Sequence, residues 1–282
     1  MKIIESPLEA YKLVAEWRQA EQTIGLVPTM GALHPGHLAL VERSRRECDK
    51  TIATIFVNPT QFAPHEDLSR YPRTVDDDLR GLEQLRTDLV FLPNSEHLYP
   101  AGFSTFVQPP QVAQPLEGLF RPVHFRGVTT IVLKLFNILP ASVGYFGQKD
   151  YQQLTVIRRM VVDLNLPICI QGCETVREAD GLAMSSRNRY LSSEQRHTAL
   201  SLWRALNATR QHIERGSRDI GELERAMEAT LRNGGIDRID YARVVDRENL
   251  ETLEQLDRPA VALIAAFVGS TRLIDNLLLP TD

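Results

Sequence analysis

Cysteine is scarce in this sequence: Cys48, Cys169 and Cys173 are all that 282 residues contain. The number is odd and no two stand as Cys-x-x-Cys, which argues against a disulfide framework and against a structural zinc site. Cys169 and Cys173 lie four apart in a stretch that reads as a strand, so they share a face and are expected as buried free thiols. Long apolar runs are missing as well. None approaches the ~20 residues needed to cross a bilayer, and the opening Met1-Lys2-Ile3-Ile4-Glu5-Ser6-Pro7 has no secretory apolar core. The expectation is a cytoplasmic protein without membrane association. There is no excess of positive charge: 32 Lys and Arg stand against 36 Asp and Glu, a formal net charge of −4 at pH 7. That speaks against a broad nucleic-acid surface, though a local basic cleft is compatible with it. Repeats and low-complexity tracts are absent too.

What is present is an ordinary apolar content of 43%, enough for a chain of this length to bury a core without covalent staples. The first part alternates β-rich runs with helical periodicity. Strands are predicted at residues 23–28, 51–57, 88–92, 143–147 and 167–173, and helices at 38–48, 76–86, 129–139 and 150–164. This alternation predicts an α/β fold, a Rossmann-like and mostly parallel sheet with helices on both faces. The strands are apolar throughout, as burial on both faces requires. Beyond about residue 175 the pattern changes to helices at 192–215 and 221–233, then strands at 241–245 and 261–267. Ser192 or Ser193 with Glu194 or Gln195 suggests a capping box. The expected division is therefore residues 1–176 and a smaller α+β domain at 177–282.

In open α/β sheets ligands bind beyond the carboxyl ends of the strands, and the residues there are polar and specific. After the first predicted strand comes His34-Pro35-Gly36-His37. Pro35 stiffens the turn and Gly36 allows close backbone approach. The free N–H groups of the following helix favour an anion such as phosphate. A histidine at that positive end is biased toward its neutral form yet can still donate a hydrogen bond. Two such donors could steady charge on a departing pyrophosphate; simple helix-capping histidines are the alternative. After the second strand, Asn58 and Gln61 offer neutral amides suited to hydroxyls and a carboxylate, or else an Asn-Pro turn. Asp76, Asp77 and Asp78 follow Tyr71-Pro72-Arg73-Thr74. They could help hold hydrated Mg²⁺, with Asp77 and Asp78 the candidate ligands, or simply complement a helix dipole behind a Thr74 cap. Gly147-Gln148-Lys149-Asp150 describes another phosphate site, with Lys149 as a point charge and Gln153 one turn on. Residues 180–188 place Ser185, Ser186 and Arg187 on a glycine-bearing loop that could close over a triphosphate.

Together these segments resemble the pantoate–β-alanine ligase family. The matching pieces are residues 28–37, Phe-Val-Asn-Pro-Thr-Gln-Phe at 56–62, Tyr-Pro-Arg-Thr at 71–74, His-Phe-Arg-Gly-Val at 124–128, residues 147–154 and 180–188, and Arg-Leu-Ile-Asp-Asn at 272–276. The resemblance implies a C-terminal lid, a homodimer, ATP with Mg²⁺, and two steps. Pantoate attacks the α-phosphorus of ATP, then β-alanine displaces AMP from the pantoyl-adenylate. It implies that His34, His37, Lys149, Ser185, Ser186 and Arg187 contact the phosphates, with His37, His34, Lys149 and Arg187 catalytic. Met30, Gly31, Ala32, Leu33, Pro35, Gly36, Gly147, Gln148, Asp150, Val176 and Met184 complete the ATP site. Gln61 and Gln153 would bind pantoate, with Asn58 and Tyr71 nearby. Thr60 and Gln148 stand where the family often holds Met and Glu; neither carries an essential charge. The rivals are a nucleotidyltransferase acting on a phosphorylated metabolite, which would want extra cations where the amides stand, and a nucleotide sensor without chemistry.

Overall fold

Residues 24–29, Ile-Gly-Leu-Val-Pro-Thr, are almost all apolar because their strand is covered on both sides. Ile24 and Leu26 join one buried cluster and Val27 another. A computed structural model of the chain describes residues 1–64 and 66–279. It forms two compact units, Met1–Gln148 with Gln152–Glu174, and Lys149–Tyr151 with the residues from Thr175 onward.

In the first unit the strands are β1 (Lys2–Ile4), β2 (Ile24–Thr29), β3 (Lys50–Ile55), β4 (Leu89–Phe91), β5 (Val143–Gly147) and β6 (Cys169–Cys173). The helices are α1 (Pro7–Gln19), α2 (Pro35–Glu47), α3 (Val75–Gln84), α4 (Ser95–Leu98), α5 (Glu117–Phe120), α6 (His124–Ile138) and α7 (Tyr151–Asp163), whose first residue belongs to the second unit. The sheet order is β1-β4-β3-β2-β5-β6, and every pairing is parallel. The α/β expectation therefore holds. One cluster packs Ala10 and Val14 of α1 and the apolar stripe of α6 against the sheet, while Leu40, Val41 and Leu82 of α2 and α3 cover the other face. From β2 the chain moves outward through β3 and β4, then crosses back to add β5 on the far side of β2. That reversal puts a switch point between β2 and β5, so the crevice at their carboxyl ends is where a ligand belongs.

In the second unit α8 (Ser193–Glu214) and α9 (Ile220–Asn233) pack on an antiparallel sheet ordered β7 (Arg238–Asp246), β8 (Ala260–Val268), β9 (Thr271–Leu279). The capping box forms as expected, at Ser192 with Gln195.

Several elements differ from expectation. β1 and α1 were not predicted, although Ser6 caps α1 and Pro7 sits at its first position. α6 begins five residues early, at His124, where no side-chain cap marks the start. β9 was missed because Asp275 and Asn276 interrupt its apolar pattern. All three cysteines are free, and Cys169 is exposed at the start of edge strand β6 rather than buried.

Candidate active site

The chain leaves β2 through a loop whose shape is fixed from outside. Gly31 and Ala32 have φ of 80° and 50°, a conformation that costs a residue with a Cβ of order 1 kcal/mol or more unless its surroundings hold it. Asp78, on the first turn of α3 and 3% exposed, does the holding. Its two carboxylate oxygens accept from the backbone N–H groups of Ala32 and Leu33, each at 2.8 Å, and Thr74 Oγ1 donates to one of them at 3.1 Å. Thr74 therefore spends its hydroxyl on Asp78 instead of capping α3. Asp77 is exposed and pairs with Arg80. The two carboxylates expected beside a metal thus have other partners, and among the described residues no three His, Cys, Asp or Glu side chains are grouped to hold a metal ion.

The loop delivers His34 to the N-cap of α2, with Pro35 at the first helical position. Helix α2 therefore starts three residues before expectation. Gly36 N–H donates to His34 Nδ1 at 3.1 Å, so that nitrogen carries no proton. In a neutral ring the proton sits on Nε2, which becomes a donor. His37 follows within the first turn, its ring centroid 4.0 Å from that of His34. Capping and ligand binding, posed as alternatives for these histidines, are compatible: the cap sets the tautomer that can donate.

The amides beyond β3 are arranged unequally. Asn58 is 1% exposed and its hydrogen-bonding capacity is spent within the protein. Oδ1 accepts from Thr60 Oγ1 at 2.9 Å and Tyr99 Oη at 2.8 Å, while Nδ2 donates to Gln61 Oε1 at 3.0 Å and the Gly127 carbonyl at 3.2 Å. The Gly127 carbonyl only accepts, which fixes the orientation of the amide. Asn58 thereby holds Gln61 in place. Gln61 Nε2 meanwhile donates to Met30 Sδ at 3.1 Å. A thioether is a weak acceptor that a ligand oxygen would outcompete. Tyr71 packs beside Ala32, Phe62 and Met30 under the same loop. On α7 the paired glutamines divide their work. Gln152 is committed to the Glu117 N–H and the Val112 and Pro115 carbonyls, whereas Gln153 is half-buried and lies about 100° further round the helix.

Sequence reasoning found no role for His124 and Gly127, and both act on Gln61. His124 Nδ1 lies 3.1 Å from the Gln61 carbonyl; a carbonyl only accepts, so Nδ1 bears the proton. A Cβ on Gly127 would stand 2.5 Å from the Gln61 nitrogen and the Thr60 oxygen, so glycine is required for α6 to approach. Arg121 pairs bidentately with Glu66 at 2.7 and 2.9 Å. Burial works against the charged form of Glu66, but the Arg121 guanidinium outweighs it and leaves the carboxyl below its ordinary range. Burial, with Arg121 adding to it, lowers the His124 imidazole from 6.5 to about 4.

This depression predicts a pH dependence. Between pH 6.5 and about 4 the unfolded ring binds a proton that the folded ring refuses, so stability falls as the pH falls through that window. The stability is fully present above 6.5. The span corresponds to about 3 kcal/mol. Urea unfolding of the native chain should lose that much more between pH 7 and pH 4 than a His124→Gln variant, which keeps a donor but does not titrate. Parallel pH profiles for the two would show that the folded ring takes up the proton.

In the second unit Val176 and Met184 meet across a short hairpin. Met184 N donates to the Val176 carbonyl at 3.0 Å, and Arg177 pairs with Ala183. The hairpin leads into Ser185, whose Oγ accepts from Arg187 N at 3.3 Å and caps the turn Ser186–Tyr190. Lys149 is half-buried, with its ammonium 3.8 Å from Asp150.

A family model described as pantoate–β-alanine ligase matches residues 2–278. The chain belongs to the pantoate–β-alanine ligase family. Membership gives the reaction class, ligation of pantoate to β-alanine. Pantothenate synthetase 1 of Bradyrhizobium diazoefficiens is 51% identical over 280 residues, covering 99% of this chain and 98% of that protein. The pantothenate synthetase of Thermotoga neapolitana is 50% identical over 279 residues, covering 99% and 100%. Among solved structures, pantothenate synthetase from Thermus thermophilus superposes with a TM-score of 0.92 at 46% identity, covering 99% and 100%. The Francisella tularensis ligase, solved with beta-gamma ATP and β-alanine, gives 0.80 at 33% identity, covering 99% and 97%. Within this family frame the 124–128 motif, given no role by sequence alone, is the support of the amide pair.

Proposed function

We propose that the chain condenses pantoate with β-alanine in two steps, through a pantoyl-adenylate, with release of pyrophosphate and then AMP. The observation that carries this reading is Gln61. It is a neutral amide held by Asn58 and His124, with its Nε2 kept on a weak acceptor. A site built to offer N–H donors without a cation suits an ionised carboxylate that must stay nucleophilic. Adenylation is the chemical requirement: a free carboxylate is a poor acyl donor until one oxygen joins a good leaving group.

In the first unit, His34 and His37 act as fixed donors toward the leaving pyrophosphate, at the positive N-terminal end of the α2 dipole. Met30, Gly31, Ala32, Leu33, Pro35, Gly36, Gly147 and Gln148 line the nucleotide site, and Gln61 and Gln153 bind pantoate. In the second unit, Lys149, Ser185, Ser186 and Arg187 contact phosphates, with Asp150, Val176 and Met184 beside the nucleotide. Mg²⁺ enters as part of the Mg-ATP substrate, bound chiefly by phosphates and water, since Asp77 and Asp78 are engaged elsewhere. A cytoplasmic homodimer is the working form that the family resemblance supports.

The test is pyrophosphate release from Mg-ATP with pantoate, with and without β-alanine. The expected result is a pantoate-dependent burst of about one equivalent, converted to steady turnover by β-alanine. Folded, Mg²⁺-supplied protein that releases no pyrophosphate in response to pantoate would refute the reading.

A further inference from the structure

One stretch has no part in the chemistry above: Arg272 to Asn276 on β9. We propose that Asp275 and Asn276 are positioning residues for the phosphate-binding groups of the second unit. Asn276 acts on Lys149, and Asp275 acts through Arg177 on the hairpin that leads to Ser185, Ser186 and Arg187. The inference rests on the functional reading just given.

Successive strand residues point to opposite faces, so this dipeptide grips a different segment on each side of β9. Asn276 Nδ2 donates to the Lys149 carbonyl at 2.8 Å. Tyr151 Oη adds a second tie, donating to the Arg247 carbonyl at 2.9 Å. These bonds hold the segment Lys149–Tyr151 within the second unit. A lysine ammonium rides on four rotatable bonds, so fixing its backbone narrows where the charge can stand.

On the other face, buried Asp275 takes Arg177 in a bidentate pair, with N–O distances of 2.7 and 2.8 Å. The same guanidinium donates to the Gly181 carbonyl at 3.1 Å and the Asn276 carbonyl at 3.2 Å, and it stacks 3.7 Å from the centre of the Trp203 ring. Arg177 therefore joins β9, the tip of the hairpin and α8. Its charge is matched by Asp275, so Arg177 serves as a frame and not as a phosphate ligand itself. Asn188 completes the frame by donating to the Glu178 carboxylate and the Ala183 carbonyl. A planar five-donor cation and a carboxylate are suited to lock three segments at fixed angles, and an amide is suited to a single neutral carbonyl.

The test is a thermodynamic cycle read by calorimetric binding of a non-hydrolysable ATP analogue and by single-turnover adenylation. Asn276→Asp keeps the shape and turns a donor into an acceptor against the Lys149 carbonyl. It should weaken analogue binding about tenfold and slow adenylation about 30-fold, with KM for pantoate unchanged. Combined with Lys149→Ala it should do no further harm, because the Asn276 amide affects phosphate binding through the Lys149 carbonyl that it holds. Asp275→Asn with Arg187→Ala should be non-additive in the same way. Multiplicative losses overturn the proposal, as does a single variant within twofold of the native chain. Should Asn276→Asp fail to fold, Asn276→Ala is read against the same outcomes; loss of the fold in both makes the residue a structural support and also overturns it. Absence of pantoate-dependent pyrophosphate release by the native chain would count against the functional reading alone, since analogue binding still reports on the positioning.

Discussion

His37→Ala is expected to slow pantoyl-adenylate formation by ~100-fold or more, the scale of removing a preorganised donor from a transition state. His37 sits in the first turn of α2, at the positive end of the helix dipole. Its neighbour His34 has Nδ1 committed to the Gly36 N–H at 3.1 Å, and the rings lie 4.0 Å apart. A neutral imidazole in such a place donates without needing to lose its proton. Transfer from ionised pantoate to a pyrophosphate leaving group moves charge and little else. On the proposed reading His37 is a fixed donor rather than a general acid. His37→Gln separates the two: an amide N–H donates but supplies no proton, so it should recover about tenfold of the lost rate. Rapid-quench adenylation under single-turnover conditions reads both variants. A near-normal rate for His37→Ala would make His37 a cap of α2 and nothing more, and a glutamine variant as slow as alanine would favour proton donation.

The contrast between His37 and its supports explains how much of the site was legible in the sequence. Residues that act close to their own place in the chain leave a local pattern. Strand, turn, His-Pro-Gly-His and helix start follow each other directly, and the apolar runs of β2, β3, β5 and β6 gave the parallel sheet. The supports act across long separations. Asp78 is 46 residues from Ala32, and His124 and Gly127 are 63 and 69 residues from Gln61 and Asn58. No periodicity announces such pairs. The local signals that do exist there mislead: three acids in the first turn of α3 look like a metal site or a dipole complement, and Thr74 looks like a cap. Tertiary geometry overrides both, because a buried carboxylate must find donors and the nearest are the backbone N–H groups of a strained turn. β9 was hidden for a similar reason. Asp275 and Asn276 interrupt the apolar pattern of the strand, and Arg177 and the Lys149 carbonyl satisfy them.

Asp78 is where that override has its largest measurable effect. Asp78→Ala should cost about 3 kcal/mol of folding stability, since it leaves the Ala32 and Leu33 N–H groups without their buried acceptor. The more informative change is Asp78→Asn. It preserves volume and one acceptor oxygen but turns an NH₂ group toward the other backbone N–H. The loop must then relax from the positive φ at Gly31 and Ala32, and it carries His34 with it. Adenylation should fall by ~30-fold or more, the consequence of displacing catalytic donors by a fraction of an ångström to an ångström, while urea unfolding shows a smaller loss than for alanine. The concentration of Mg²⁺ needed for half-maximal rate should stay as in the native chain, because the carboxylate binds backbone and not metal. Asp77→Ala, removing an exposed carboxylate whose partner among the described residues is Arg80, should leave both rate and Mg²⁺ requirement nearly unchanged. An Asp78→Asn enzyme rescued by raised Mg²⁺ would return Asp78 to the metal. One that adenylates at the native rate would mean that Thr29 Oγ1, which accepts from the Gly31 N–H at 3.2 Å, holds the loop before His34 without Asp78.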